Sequence, residues 1–252
     1  MSVEIKTIYA MRKWKTMVLV MGMLGVMSAC GKDPLPGEDE DPAEDPTEQV
    51  VRFSVLGDSY STFEGYVYPD SNSVWYCLPP DNLNDVTSVE EMWWYQVQQA
   101  MGWTLERNNS FSGSLVCNMD FAHYYGPYSF LRRMDNLGQP DVILIFGGTN
   151  DVWDEAPMGD FVYENWTEEQ LCTFRPALAC LFQRLRERYP NARPVFLADT
   201  ALGDPFMESV HVITSHYGVL CVDLSGIKKY WEHPTVEGMT TIASQVVAKL
   251  RS

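Results

Sequence analysis

From residue 51 to the carboxyl terminus, short apolar runs alternate with stretches of helical period. Val51, Phe53, Val55 and Leu56 read as a first strand, and Trp103 to Arg107 as a second. Asp141-Val142-Ile143-Leu144-Ile145-Phe146 is a continuous apolar run of the kind found in parallel strands buried on both faces. Pro194 to Ala198 and Gly218 to Val222 complete the series. Between them, Ser88-Val89-Glu90-Glu91 has the form of a capping box and predicts a helix through about Met101, with Trp94, Val97 and Met101 on one face. A second helical region lies between Thr167 and Tyr189 and is broken or restarted near Pro176. Asp204-Pro205 predicts the cap of a third, ending at His216. The last runs from Val236 to Leu250, with Met239, Ile242, Val246 and Leu250 facing inward. Strands alternating with helices predict a parallel sheet covered on both sides, and no internal repeat interrupts the order. Tyr60 to Thr87 fits neither period; this long, Pro-rich loop with Phe63, Tyr66, Tyr68, Trp75 and Tyr76 is expected to border a site.

The first forty-nine residues follow another pattern. Arg12-Lys13-Trp14-Lys15 precedes an apolar run from Met17 to Met27 and then Ser28-Ala29-Cys30, the order of a secretory signal. Met27-Ser28-Ala29-Cys30 resembles a bacterial lipobox, with Met27 where Leu is more usual, so residues 1–30 are expected to be a lipoprotein signal peptide with Cys30 as the lipidated residue. An uncleaved anchor is the alternative, but the run is short for a bilayer span. Met11, directly before the basic residues, is an alternative start. Residues 31–49 hold eight acids and four prolines and are expected to form a disordered acidic spacer, whether or not it also carries an export address. These features predict an extracytoplasmic protein, lipid-anchored to a bacterial, outer membrane and exposed at the cell surface, that touches the membrane only through Cys30. The folded domain is then 50–252.

The formal charge of the chain is −16. Acidity of this order excludes nucleic acid as a natural partner, since phosphates need a basic patch. Five cysteines remain after Cys30, an odd number for an exported chain. Cys172 and Cys180 read as buried small hydrophobes beside Leu171, Ala177 and Leu181, and Cys77 with Cys117 could form a disulfide. No Cys/His cluster has zinc spacing, and no metal or cofactor is called for.

The chemistry is carried by loops after strands. Leu56-Gly57-Asp58-Ser59-Tyr60-Ser61 places Ser59 at a strand's carboxyl end, where open sheets keep their sites; alone, Gly-Asp-Ser is also ordinary turn chemistry. Asn108-Asn109-Ser110-Phe111-Ser112-Gly113-Ser114 and Gly147-Gly148-Thr149-Asn150-Asp151 follow later strands, and Glu232-His233-Pro234 precedes the last helix. With four such blocks in this order the chain resembles the GDSL/SGNH hydrolases over residues 51–250. No Gly-x-Ser-x-Gly is present, which argues against an α/β-hydrolase elbow.

That resemblance implies a three-layer α/β/α fold with a central, mostly parallel, five-stranded sheet of flavodoxin-like type. It also implies Ser59 as nucleophile, His233 as base, and an oxyanion hole from the backbone N–H groups of Ser59 and Gly113 and the side-chain amide of Asn150. Asp58 and Asp151 would hold the loops. His123, His211 and His216 match no block. One departure stands out. The family's aspartate three residues before the histidine is replaced by Tyr230. Three substitutes are open: a backbone carbonyl such as that of Tyr230, the Glu232 side chain, or no substitute at all, which would leave a weakened enzyme or a binder. The carbonyl is favoured, because orientation is most of what the base needs. The resulting expectation is a serine esterase that removes acetyl or other short acyl groups, with an acylated glycan or small ester as partner. Trp75, Trp93, Trp94, Trp153 and Trp231 are candidate sugar-stacking faces, although Trp93 and Trp94 on a helix also suit a core. A non-catalytic glycan-binding lipoprotein is the alternative, and acyl transfer would use the same residues.

Overall fold

In the computed structural model, which describes residues 50–119 and 128–252, the central strand β3 (Val142–Phe146) sets the layers. Val142, Leu144 and Phe146 enter one core, while Ile143 and Ile145 enter another on the opposite face. A strand buried on both sides must be apolar throughout, and each such side chain contributes about 1.5–3 kcal/mol. β1 (Arg52–Gly57) and β4 (Arg193–Asp199) flank β3, with β2 (Thr104–Asn108) and β5 (Leu220–Leu224) at the edges. All four pairings are parallel, in the order β2-β1-β3-β4-β5, so the expected mostly parallel sheet is parallel throughout.

Helices α1 (Trp93–Met101) and α6 (Val236–Arg251) cover one face. Helices α2 (Phe130–Arg133), α4 (Phe174–Arg188) and α5 (Asp204–Tyr217) cover the other. This is the three-layer α/β/α arrangement. Its switch point, where the chain leaves β1 for one neighbour and later returns as β3 on the other side, opens a crevice at the strands' carboxyl ends. Ser59 follows β1 there, and the five-residue helix α3 (Thr149–Trp153) follows β3.

Several boundaries differ from the periodic reading. The 88–101 helix is two pieces, a 3₁₀ turn at Val89–Glu91 and then α1, separated by an extended Met92. Glu91 still accepts the amides of Thr87 and Ser88, as a capping box requires. α4 starts at Phe174, so Pro176 sits in its first turn, where a missing N–H costs nothing. Asp204 is the first helical residue of α5 rather than its cap, which is Gly203. Gly218, which the apolar run places in a strand, is the left-handed terminus of α5 and moves β5 two residues on.

Cys77 and Cys117 do not form a disulfide; all five described cysteines remain thiols. Cys117 packs in the core of α4 and α5, whereas Tyr76 beside Cys77 packs in that of α1 and α6. Cys180 is fully buried, but Cys172, in a separate 3₁₀ turn, is only partly so. The signal peptide, Cys30, the spacer and His123 lie outside the described residues. Among those described, no helix is long and apolar enough to cross a membrane.

Candidate active site

Ser59 opens a 3₁₀ turn capped by Asp58, whose Oδ1 accepts the Tyr60 amide at 3.0 Å. The turn is pinned from below. Trp93 Nε1 donates to Ser61 Oγ, and Trp94 Nε1 and Asn108 Nδ2 both donate to the Ser61 carbonyl. Trp93 and Trp94 are therefore fully buried supports of the serine turn, not sugar-stacking faces. Among the described residues, Trp153 and Trp231 are the exposed indoles, 41% and 64% accessible.

His233 Nε2 lies 2.9 Å from Ser59 Oγ. The ring's other nitrogen, Nδ1, lies 2.9 Å from the carbonyl oxygen of Trp231. A carbonyl can only accept, so Nδ1 carries the proton and the Nε2 lone pair faces the serine hydroxyl. The group against Nδ1 is a main-chain carbonyl, that of Trp231 and not of Tyr230. The reason is a hairpin that residue spacing does not reveal: β6 (Lys229–Tyr230) pairs antiparallel with β7 (His233–Pro234) through a two-residue loop. Trp231 and Glu232 have φ of 47° and 61°, the two positive values of a type I′ turn. That turn brings the Trp231 carbonyl back to the imidazole two residues later. Tyr230 is paired with His233 across the hairpin and its side chain is exposed. Glu232 offers its carbonyl, not its carboxylate, and to Tyr60: the phenol donates to it at 2.6 Å.

The hairpin is tied to the sheet by Lys229 Nζ, 2.7 Å from the buried carboxylate of Asp199 at the end of β4. Tyr76 donates to the Pro234 carbonyl at 2.8 Å. Around the imidazole stand four aromatic rings. Trp75 is stacked on it at 3.6 Å with an interplanar angle of 8°, while Tyr60, Trp153 and Tyr76 meet it edge-on at 5.4, 6.2 and 6.4 Å. Burial and nearby Lys229 push the His233 pKa down, and the Trp231 carbonyl pulls it up, leaving it at about 4. The ring is thus neutral at neutral pH, the state a base needs.

Asn150 sits in the first turn of α3, and its Nδ2 donates to the Ser114 carbonyl at 3.0 Å. Asp151, next to it, accepts the amides of Val116 and Cys117 at 2.8 and 3.1 Å. Together they clamp the Gly113 loop to α3. Gly113 has φ 84°, a left-handed conformation open to glycine at little cost, and Gly148 before α3 is fixed by both φ 98° and Phe206, 2.3 Å from where a Cβ would stand. The structure therefore brings Ser59, Asn150 and His233 to the crevice with Asp58 and Asp151 behind them.

Two buried acids carry unusual protonation. Burial pushes Asp58 up to about 7, against the Tyr60 amide, and its Oδ2 has no partner among the described residues. Burial likewise raises Asp151 to about 6. Arg133 belongs to none of the four motif blocks, yet it is buried behind the site. Its guanidinium donates to the carbonyls of Gly57, Asn109 and Tyr128 and to Ser114 Oγ, joining the serine strand to the Gly113 loop. Its only sequence signal is the second of two arginines after the apolar Phe130-Leu131, which is not specific.

The other described histidines lie elsewhere. His211 bonds Asp223 at 2.8 Å and His216 stacks on Tyr163. His211, Cys221 and Asp223 are, among the described residues, the one group that could hold a metal; they belong to α5 and β5 and not to the crevice loops.

A family model described as GDSL-like lipase/acylhydrolase matches residues 51–250. No curated protein matches the chain. Among solved structures, a protein of Bacteroides ovatus described as a GDSL-like lipase is 45% identical, with a TM-score of 0.78 over 81% of this chain and 99% of the other. One of the same description from Bacteroides uniformis is 44% identical, with a TM-score of 0.78 over 81% and 97%. A family two carbohydrate esterase from Clostridium thermocellum, solved in complex with cellohexaose, shares the fold at 18% identity, with a TM-score of 0.52 over 81% and 65%.

Proposed function

The chain belongs to the GDSL-like lipase/acylhydrolase family, and on that premise we propose that it is a serine esterase acting through Ser59 and His233, with short acyl esters of carbohydrate as substrates. It is a hydrolase of the SGNH type. The observation that carries the proposal is the two-sided bonding of His233, to Ser59 Oγ at Nε2 and to the Trp231 carbonyl at Nδ1.

In this reading Ser59 Oγ attacks the acyl carbon while its proton passes to His233 Nε2. The carbonyl oxygen becomes an oxyanion, held by the N–H groups of Ser59 and Gly113 and by the Asn150 amide, whose orientation the Ser114 carbonyl sets. Collapse of the intermediate expels the alcohol, which takes the proton from His233. Water then attacks the acyl-enzyme, gives a proton to His233, and Ser59 recovers its own as the acid leaves. The Trp231 carbonyl keeps the tautomer correct through both halves but supplies no negative charge. Trp153 and Trp231, exposed beside His233, suit a sugar ring better than an acyl chain. The fold shared with a carbohydrate esterase is compatible with that preference.

Fluorophosphonate treatment of the whole chain followed by peptide mass spectrometry tests the reading. An adduct on Ser59 that disappears in His233→Ala supports it; absence of any adduct under conditions that label a known serine esterase leaves a glycan-binding role. Release of acetate from acetylated sugars then tests the substrate. Attachment through Cys30, and with it an extracytoplasmic, membrane-anchored site of action, is part of the same proposal. A Cys30→Ala chain that still partitions into detergent like the parent would refute that part.

A further inference from the structure

His233 turns from neutral to cationic each time it accepts the Ser59 proton, and nothing described so far stabilises that cation with charge. The site is buried, which disfavours the imidazolium, and the Trp231 carbonyl is neutral. The charged groups near the ring are Lys229 on β6, which repels a cation, and its partner Asp199; Asp58 lies beneath Tyr60, and Glu232 turns its carbonyl to Tyr60. From the other elements the ring meets Tyr60, Tyr76 and Trp153 edge-on. Among the described residues Trp75 alone presents its face, at 3.6 Å and 8°.

This arrangement is informative because two neutral aromatic rings avoid a face-to-face sandwich, while a cation over an indole face is attracted by its quadrupole. Resting on the esterase reading, we propose that Trp75 is a positioning residue for His233 that favours its imidazolium form, its π face standing in for part of what the missing carboxylate supplies as charge. The indole is registered on the nucleophile's own turn. The Trp75 amide donates to Thr62 Oγ1 at 2.9 Å, and that hydroxyl donates to the Ser59 carbonyl at 3.0 Å. Phe63 and Tyr76 bridge beside it, closing the loop that carries it. Trp75 Nε1 is buried with no partner among the described residues, so stacking and not a hydrogen bond to its own ring nitrogen orients the indole. The aromatic loop read as a border of the site thus reaches into its chemistry.

The test is a titration of His233 by nitrogen-15 histidine NMR in the whole chain, comparing the parent with Trp75→Phe and Trp75→Leu, alongside the rate of fluorophosphonate inactivation. Leucine keeps apolar cover over the ring but removes the π face. The expected result is a His233 pKa lower in Trp75→Leu by about 0.5 to 1 unit, an inactivation rate lower by about 3- to 30-fold, and a Trp75→Phe variant lying between it and the parent. The sign decides. If the indole only shields the imidazole from water, Trp75→Leu raises the pKa or leaves it unchanged, and the proposal is overturned; so is it if Phe and Leu are equally impaired. Should the parent itself form no adduct, the esterase reading fails, while the titration still decides what Trp75 does to the ring.

Discussion

At the scale of single residues, the site is governed by groups whose protonation burial has moved. His233 is held near 4, so the base is already in its working form well below neutral pH. The acidic limb of kcat/KM is expected close to pH 4, where an unperturbed histidine would place it near 6.5. Initial rates on a neutral short-chain ester check this, and a limb between about 6 and 7 would contradict the geometry. Asp58 moves the other way, from 3.8 to about 7. Between those values the native protein keeps a proton that the unfolded chain has lost, so this stabilisation is complete below pH 3.8 and fades as pH rises through 7. Asp151, raised to about 6, adds a slope of the same sign. Replacing Asp58 with Asn removes the larger slope while leaving an oxygen for the Tyr60 amide. Denaturant melts at about pH 5 and about pH 8 should therefore show wild type losing more stability than Asp58→Asn over that interval.

At the scale of elements, the β6–β7 hairpin does what a carboxylate side chain does elsewhere. Its turn is anchored by the Tyr60 phenol, so Tyr60→Phe is expected to cost about 0.5–1.5 kcal/mol and to lower kcat while KM stays nearly constant. A rise in KM with kcat unchanged would place Tyr60 in substrate binding instead. The elements differ in how legible they are in the sequence. β3 is plain because both its faces are buried, and α6 because its apolar positions keep helical spacing. Ser59, Asn150 and His233 stand out because each follows or precedes a strongly patterned element. The hairpin does not, since two-residue strands have no period to detect and neither Trp231 nor Glu232 is a residue that advertises a positive φ. Arg133 is invisible for a similar reason: α2 is four residues long, and its role depends on the carbonyls of Gly57 and Asn109, contributed by two distant segments.

At the scale of the molecule, one sheet with a core on each face stabilises the domain without covalent help. All five described cysteines are thiols, so a reducing agent should leave the thermal midpoint unchanged, and a fall of several degrees would reveal a disulfide. The sheet's switch point gathers loops from three separate strands, and the aromatic loop and hairpin close over them from the side of α1 and α6. The Trp231 carbonyl has a consequence for how this chain can vary. An acceptor supplied by the main chain is kept by any side chain that tolerates its backbone, so on a small ester with no sugar ring a saturation scan should find residue 231 permissive for hydrolysis, except for Pro and β-branched residues at its φ of 47°, while Ser59 and His233 are not. Sensitivity should appear instead at Tyr60, Lys229 and Asp199, which shape the bend without touching the imidazole nitrogen. The third member of this catalytic set would thus be inherited as a shape, shared among several positions.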